Sequence, residues 1–168
     1  MFKLIKTHVE YDALKINDFP FLYFLINEGD LEAIKTIMQK ASYKEDILND
    51  DNNPMGITPI AYAFLENKQD IVELLQENNS SLSKPNSAMQ NILHTAAIYK
   101  REEAFNKAAT DKKNDINLPD EFGNTPFHYA ARAGSVAMIA TMVAAKAKKV
   151  SNQFHQYPIH MAIESGVI

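Results

Sequence analysis

Three histidines raise the first chemical question in this sequence. His94, His128 and His160 each follow an apolar residue and each stand two residues before an alanine, at intervals of 34 and 32 residues. Imidazole is the side chain best suited to proton transfer near neutral pH and is a common metal ligand. Three of them on one centre would suit zinc, provided each nitrogen reaches within about 2 Å of the ion. Neighbouring carboxylates occur at Asp50–Asp51 and Glu102–Glu103, and a lysine run occupies Lys146–Lys149. Paired acids can divide general acid and base work between them. The chain has no cysteine, so a thiolate nucleophile, a thiolate zinc site and a disulfide framework are all excluded. It has no Gly-x-Ser-x-Gly, and its five glycines form no phosphate-cradling loop.

The remaining composition narrows the classes further. The 168 residues are 46% hydrophobic and 23% charged, enough to bury one continuous core. Net charge is −4, and of 17 basic residues only Arg101 and Arg132 are arginines. Arginine does most of the bidentate reading of phosphate and guanine, so no nucleic-acid partner is expected. The longest apolar run, Phe19 to Ile26, is too short to span a bilayer, and residues 1–19 lack the apolar stretch of a secretory signal. No membrane insertion is expected, and glycosylation at Asn78 or Asn79 is not expected either.

Whether the histidines converge depends on the elements that carry them, and those elements repeat. "GNTPFHYAARAG" (123–134) aligns with "GITPIAYAFLEN" (56–67), "MQNILHTAAIYK" (89–100) and "HQYPIHMAIESG" (155–166). Pro59, Ile92, Pro126 and Pro158 share a column, at steps of 33, 34 and 32 residues. A fainter copy places Phe21 in that column and Gly29 in the closing-glycine column, 38 residues ahead of Pro59. With this period and the Thr-Pro-x-His core, the sequence resembles the ankyrin repeat family over roughly residues 20–168. "NDINLPDEFG" (114–123) resembles the family's connecting segment.

The residues suit the unit that the resemblance implies, a turn followed by two helices. Asn53, Asn86, Asp120 and Asn152 share a column where a side-chain oxygen can cap the turn. Gly56 and Gly123 can adopt positive φ there, while Met89 and His155 replace that glycine and predict strained or differently shaped turns. Thr58 and Thr125 suit helix N-caps, with proline following at the first helical position. Ala63, Ala96, Ala97, Ala130, Ala131 and Ala162 let first helices approach closely. Leu31, Ile34, Ile37 and Met38 give the second helix of the first copy an amphipathic stripe. Ala104, Phe105 and Ala108 give the third copy a thinner one. Each pair would bury its apolar face only against the next.

The expected fold is therefore all-α, an ankyrin-repeat solenoid of stacked helix-turn-helix units. Residues 1–19 are expected to form an N-terminal capping helix that presents Phe2, Ile5, Val9 and Leu14. Repeats are expected at about 20–52, 53–85, 86–119, 120–151 and, in part, 152–168. The fifth copy stops where its second helix should begin: either the chain is cut from a longer protein, the reading that the likeness of "SGVI" to the interior "AGSV" favours, or it ends in a half-repeat that caps the stack.

Stacked copies stand about 10 Å apart, too far for one ion to gather all three imidazoles, so no metal site is expected. The resemblance implies instead that each histidine bonds backbone across adjacent turns. The carboxylate pairs fall on solvated surface, and Lys146–Lys149 complement a helix C-terminus. No catalytic residue, cofactor or enzyme activity is expected.

The resemblance implies that another protein docks on the concave face of turn tips and first helices. Candidate contacts there are Met55, Leu65, Ile98, Tyr99, Phe122, Arg132 and Phe154, with Tyr99 and Arg132 as central anchors. An alternative is that Phe122 and Phe154 fold back into gaps between turns. The function expected is a cytoplasmic, non-enzymatic interaction module. A second expectation is the substrate-recruiting arm of a larger enzyme. Frequent lysine, asparagine and isoleucine suggest an A/T-rich genome, compatible with a bacterial effector acting in host cytoplasm.

Overall fold

A computed structural model describes residues 15–16, 19–39 and 48–166. The chain divides into two compact units, Met1–Ser81 and Leu82–Ile168.

In the first unit, β1 (Lys15–Ile16) and β2 (Phe19–Pro20) form a two-residue antiparallel pair, with Lys15 opposite Pro20 and Ile16 opposite Phe19. The described part of the expected capping helix is therefore extended. Phe2, Ile5, Val9 and Leu14 lie outside the described residues. Four helices follow: α1 (Phe21–Glu28), α2 (Leu31–Met38), α3 (Pro59–Leu65) and α4 (Gln69–Glu77). Helix α1 packs on α2 and α3, and α3 packs on α4. Ile26, Ile34, Ile60, Ala63 and Leu75 are wholly buried in this unit. Asp30 caps α2 through Ala33 N–H at 2.9 Å, and Thr58 caps α3 at 3.4 Å ahead of Pro59. Tyr23 ties α1 to the turn that precedes α3. Its hydroxyl donates to the Ile57 carbonyl at 2.5 Å and accepts from Asn53 Nδ2 at 3.1 Å.

The second unit contains α5 (Ile92–Ile98), α6 (Glu102–Thr110), α7 (Pro126–Ala133), α8 (Val136–Ala144) and α9 (Pro158–Glu164). The first helices α5, α7 and α9 pack side by side, with the second helices α6 and α8 behind them. Small residues permit this: Ala96, Ala97, Ala130, Ala131 and Ala162 are all buried at or near the first-helix contacts. Phe105, Met138 and Met142 fill the space behind and are fully buried. Burying such side chains contributes about 1.5–3 kcal/mol each. The thin stripe of α6 is sufficient because Ala104, Phe105 and Ala108 are all inside.

The turn between paired helices recurs with one backbone geometry. Gly29 (φ 74°), Asn67 (φ 55°), Lys100 (φ 53°) and Gly134 (φ 71°) are all left-handed. Where glycine is absent from that column, the backbone conformation is kept and the side chain bears the cost.

Candidate functional site

Within residues 82–168, three turn tips form a ladder. Asn86 accepts N–H bonds from Ala88 and Gln90 through Oδ1. Asp120 accepts from Phe122 and Asn124 in the same way, and Asn152 accepts from Phe154 and Gln156. Each tip is closed by a second bond from the capping residue's own N–H, to Gln90, Asn124 and Gln156 respectively, at 2.9 Å. Adjacent tips are joined by Glu121 N–H to the Ala88 carbonyl and Gln153 N–H to the Phe122 carbonyl, at 3.3 and 3.1 Å. Met89 (φ 60°) and His155 (φ 59°) adopt the left-handed conformation of Gly123 (φ 78°). Those turns are conformationally costly, but they are not differently shaped.

The histidine column stitches the ladder to the helices. His94 Nδ1 accepts from Asn91 N–H at 3.2 Å, and His128 Nδ1 accepts from Thr125 N–H at 3.0 Å. That leaves Nε2–H to donate to the next tip, from His94 to the Asn124 carbonyl at 3.1 Å and from His128 to the Gln156 carbonyl at 3.0 Å. Both rings are fully buried. Burial lowers the His94 pKa to about 4 and lowers that of His128 as well, so both are neutral donors near pH 7. Nδ1 of His160 accepts from Tyr157 N–H at 2.8 Å. Among the described residues no cluster of three His, Cys, Asp or Glu side chains could hold a metal ion.

Tyr129 sits between the tips and the first helices. Its hydroxyl donates to Asp120 Oδ2 at 2.7 Å and accepts from Gln90 Nε2 at 3.3 Å, and its ring meets that of His94 edge-on at 5.7 Å. Burial first, and then the Asp120 carboxylate, raise its pKa to about 12. Next to it opens a groove of 470 Å³ between the ends of α5, α7 and α9, lined by Ile98, Lys100, Tyr129, Arg132 and Ser165 together with Ala97 and Ala133.

The seven expected contact residues have different fates. Phe122 and Phe154 are exposed, Phe154 at 64%, and their rings pair at 6.4 Å. They stand on the tips rather than folding into gaps between them. Ile98 and Arg132 are exposed and line the same groove. Tyr99 is half-buried, and burial raises its pKa. Met55, in the other unit, is half-buried. Leu65 was expected on the surface but is buried, 7% exposed, so its apolar character is explained by packing.

Sequence reasoning missed Lys100, Tyr129 and Ser165 as groove residues, and missed Met89 as an exposed apolar tip. Tyr129 left a signal, because Tyr62 occupies its column and also makes a ring contact, with Tyr23 at 5.4 Å. Met89 left none, because in its column glycine is chosen for backbone conformation.

Residues 93–143 match the family model for ankyrin repeats (many copies). The chain is 30% identical over 118 residues to a transient receptor potential cation channel subfamily A member 1 homolog of Caenorhabditis elegans, covering 70% of this chain and 9% of that protein. It is 31% identical over 117 residues to the tyrosine-protein kinase Shark of Drosophila melanogaster, covering 66% of this chain and 12% of the kinase. It is 28% identical over 131 residues to the human transient receptor potential cation channel subfamily A member 1, again spanning 12% of that protein. The chain thus spans about a tenth of the length of these relatives. The matched repeats, the paired helices and the recurring tips together make this an ankyrin-repeat protein of the all-α solenoid class.

Proposed function

We propose that the chain is a non-enzymatic interaction module that docks another protein on the side of residues 82–168 carrying the turn tips and the ends of the first helices. Ankyrin repeats are generally protein–protein interaction modules, and this chain carries them. The observation that supports this docking side is the pair of exposed rings, Phe122 and Phe154, on a tip whose Asp120 holds both the Phe122 N–H and the hydroxyl of Tyr129, which lines the groove. Two aromatics held in water on a hydrogen-bonded ladder are preorganised to lose that water to a partner. Phe122→Ala combined with Phe154→Ala should leave the helical circular dichroism intact and weaken a captured partner by about tenfold or more. Unchanged affinity would sink the reading. Among the described residues no helix is long and apolar enough to cross a membrane, and the module is read as acting in the cytoplasm.

A second reading is favoured by the kinase relative, of which the match covers 12%. There the repeats would be the substrate-recruiting arm of a larger enzyme. The reading frame of the gene around these residues tests it, since this reading requires a catalytic domain in the same frame. Delivery into host cells as a bacterial effector is supported only by the lysine-, asparagine- and isoleucine-rich composition. A translocation reporter fused to the chain tests that.

A further inference from the structure

We propose that the groove beside Tyr129 receives an acidic side chain of a peptide partner, gripped by Arg132 and Lys100, with an apolar neighbour of that side chain seated on Ile98. The inference rests on the docking reading above and specifies the chemistry of what docks.

The groove's charge is opposite to that of the chain. Net charge is −4, yet the charged residues lining the groove are Lys100 and Arg132, with no carboxylate among them. They come from neighbouring copies, Arg132 from the last turn of α7 and Lys100 from the turn just beyond α5. Among the described residues neither side chain has an ion pair or a hydrogen bond. A helix C-terminus favours a nearby cation, which accounts for each one separately but not for their meeting at one groove.

Lys100 adds an independent observation. It occupies a left-handed position, φ 53°, that Gly29, Gly134 and Gly166 fill elsewhere. A side chain there is strained relative to the ordinary helical conformation. A lysine is thus carried at a conformational cost at a position that lines the groove.

The lining also selects the occupant. A guanidinium presents a planar fork that a carboxylate meets with two parallel hydrogen bonds, and an ammonium adds a point charge. Ile98 is 38% exposed and lines the groove together with Ala97 and Ala133, an apolar lining that suits an aliphatic side chain beside the acid. A volume of 470 Å³ lies within the range of sites that enclose small ligands, so it holds a few side chains rather than a folded surface. The negative charge of the whole chain disfavours a polyanion.

A random-peptide display selection against the whole 168-residue chain tests this, followed by anisotropy measurements on the enriched peptides. The expected peptides carry Asp or Glu beside an apolar residue. Their affinity should fall about tenfold with Arg132→Gln, and about threefold with Lys100→Gln. Changing the peptide's Glu to Gln should cause a similar loss with the wild-type chain but little further loss with Arg132→Gln. Circular dichroism shows whether each variant remains folded; Arg132 is exposed, so its replacement leaves the core untouched. Enriched peptides without an acid, or acidic peptides indifferent to Arg132→Gln, overturn the proposal. If those peptides still respond to Ile98→Ser or to the Phe122/Phe154 double variant, docking on this side stands and only the acidic specificity fails. If no peptide is enriched, or none responds to any of these variants, both readings fall.

Discussion

Nε2 of His128 lies 3.0 Å from the carbonyl oxygen of Gln156, the relation that His94 holds to Asn124 at 3.1 Å. Each bond joins the start of one first helix to the turn tip of the next copy, and each requires a neutral ring that donates from Nε2.

A pH dependence follows from that requirement. The folded chain holds the His94 pKa near 4, against 6.5 for a free imidazole, so the unfolded chain binds the proton more readily. Stability from this residue is fully present above about pH 6.5 and is lost as pH falls through about 4. The lost contribution is on the order of 3 kcal/mol. His128 shifts in the same direction. Urea denaturation between pH 7 and pH 4 should show a shallower fall for His94→Gln than for wild type, because the amide can still donate but cannot titrate.

The tips predict a pair of opposite glycine effects. Met89→Gly and His155→Gly should each stabilise the chain by about 0.5–1 kcal/mol by relieving left-handed strain. Gly123→Ala should cost more than Gly56→Ala. A Cβ at 123 would stand 3.1 Å from Gln153 N, whereas at 56 nothing lies within 4 Å. Denaturant midpoints of the four variants check the order.

Asp120 and Tyr129 form a pair whose coupling is readable by spectroscopy. Asp120→Asn keeps the oxygen that caps the tip, as Asn86 and Asn152 do in their own tips. It removes the charged acceptor of the Tyr129 hydroxyl, so the Tyr129 pKa should move down from about 12 towards 10. Ultraviolet difference titration, with Tyr129→Phe to identify the signal, measures the shift. Stability should fall by about 1 kcal/mol.

Leu65 and Ile98 occupy one column of the repeat and should behave differently. Leu65→Ala removes a buried side chain and should cost about 2–4 kcal/mol. Ile98→Ala, at an exposed position, should cost less than about 1 kcal/mol. Thermal melts of both variants distinguish a packing residue from a surface residue.

This last contrast marks how far the sequence could be read. The helices, the capping Asn and Asp residues and the first-helix alanines are legible in the repeat columns, because each follows from local geometry repeated at a fixed period. Among the contact candidates, Phe122, Phe154, Ile98 and Arg132 emerged on the surface. Leu65 did not, because periodicity gives a residue's position on its helix but not what covers it. The groove itself was illegible: Ile98 and Lys100, Tyr129 and Arg132, and Ser165 come from three copies and meet only once the first helices lie side by side. Lys100 was further hidden by standing in a column read as a glycine position.

The imidazole bonds also bear on where the chain tolerates insertion. His94 reaches a carbonyl 30 residues onward and His128 one 28 residues onward, with nearly equal bond lengths. The surplus pair of residues lies in the connection behind the second helix, residues 111–119 against 145–151. Extra length is absorbed at that rear link while the tips keep their register. Grafted epitopes or reporter tags belong there, and a one-residue insertion between a histidine and its own second helix would misalign the whole row.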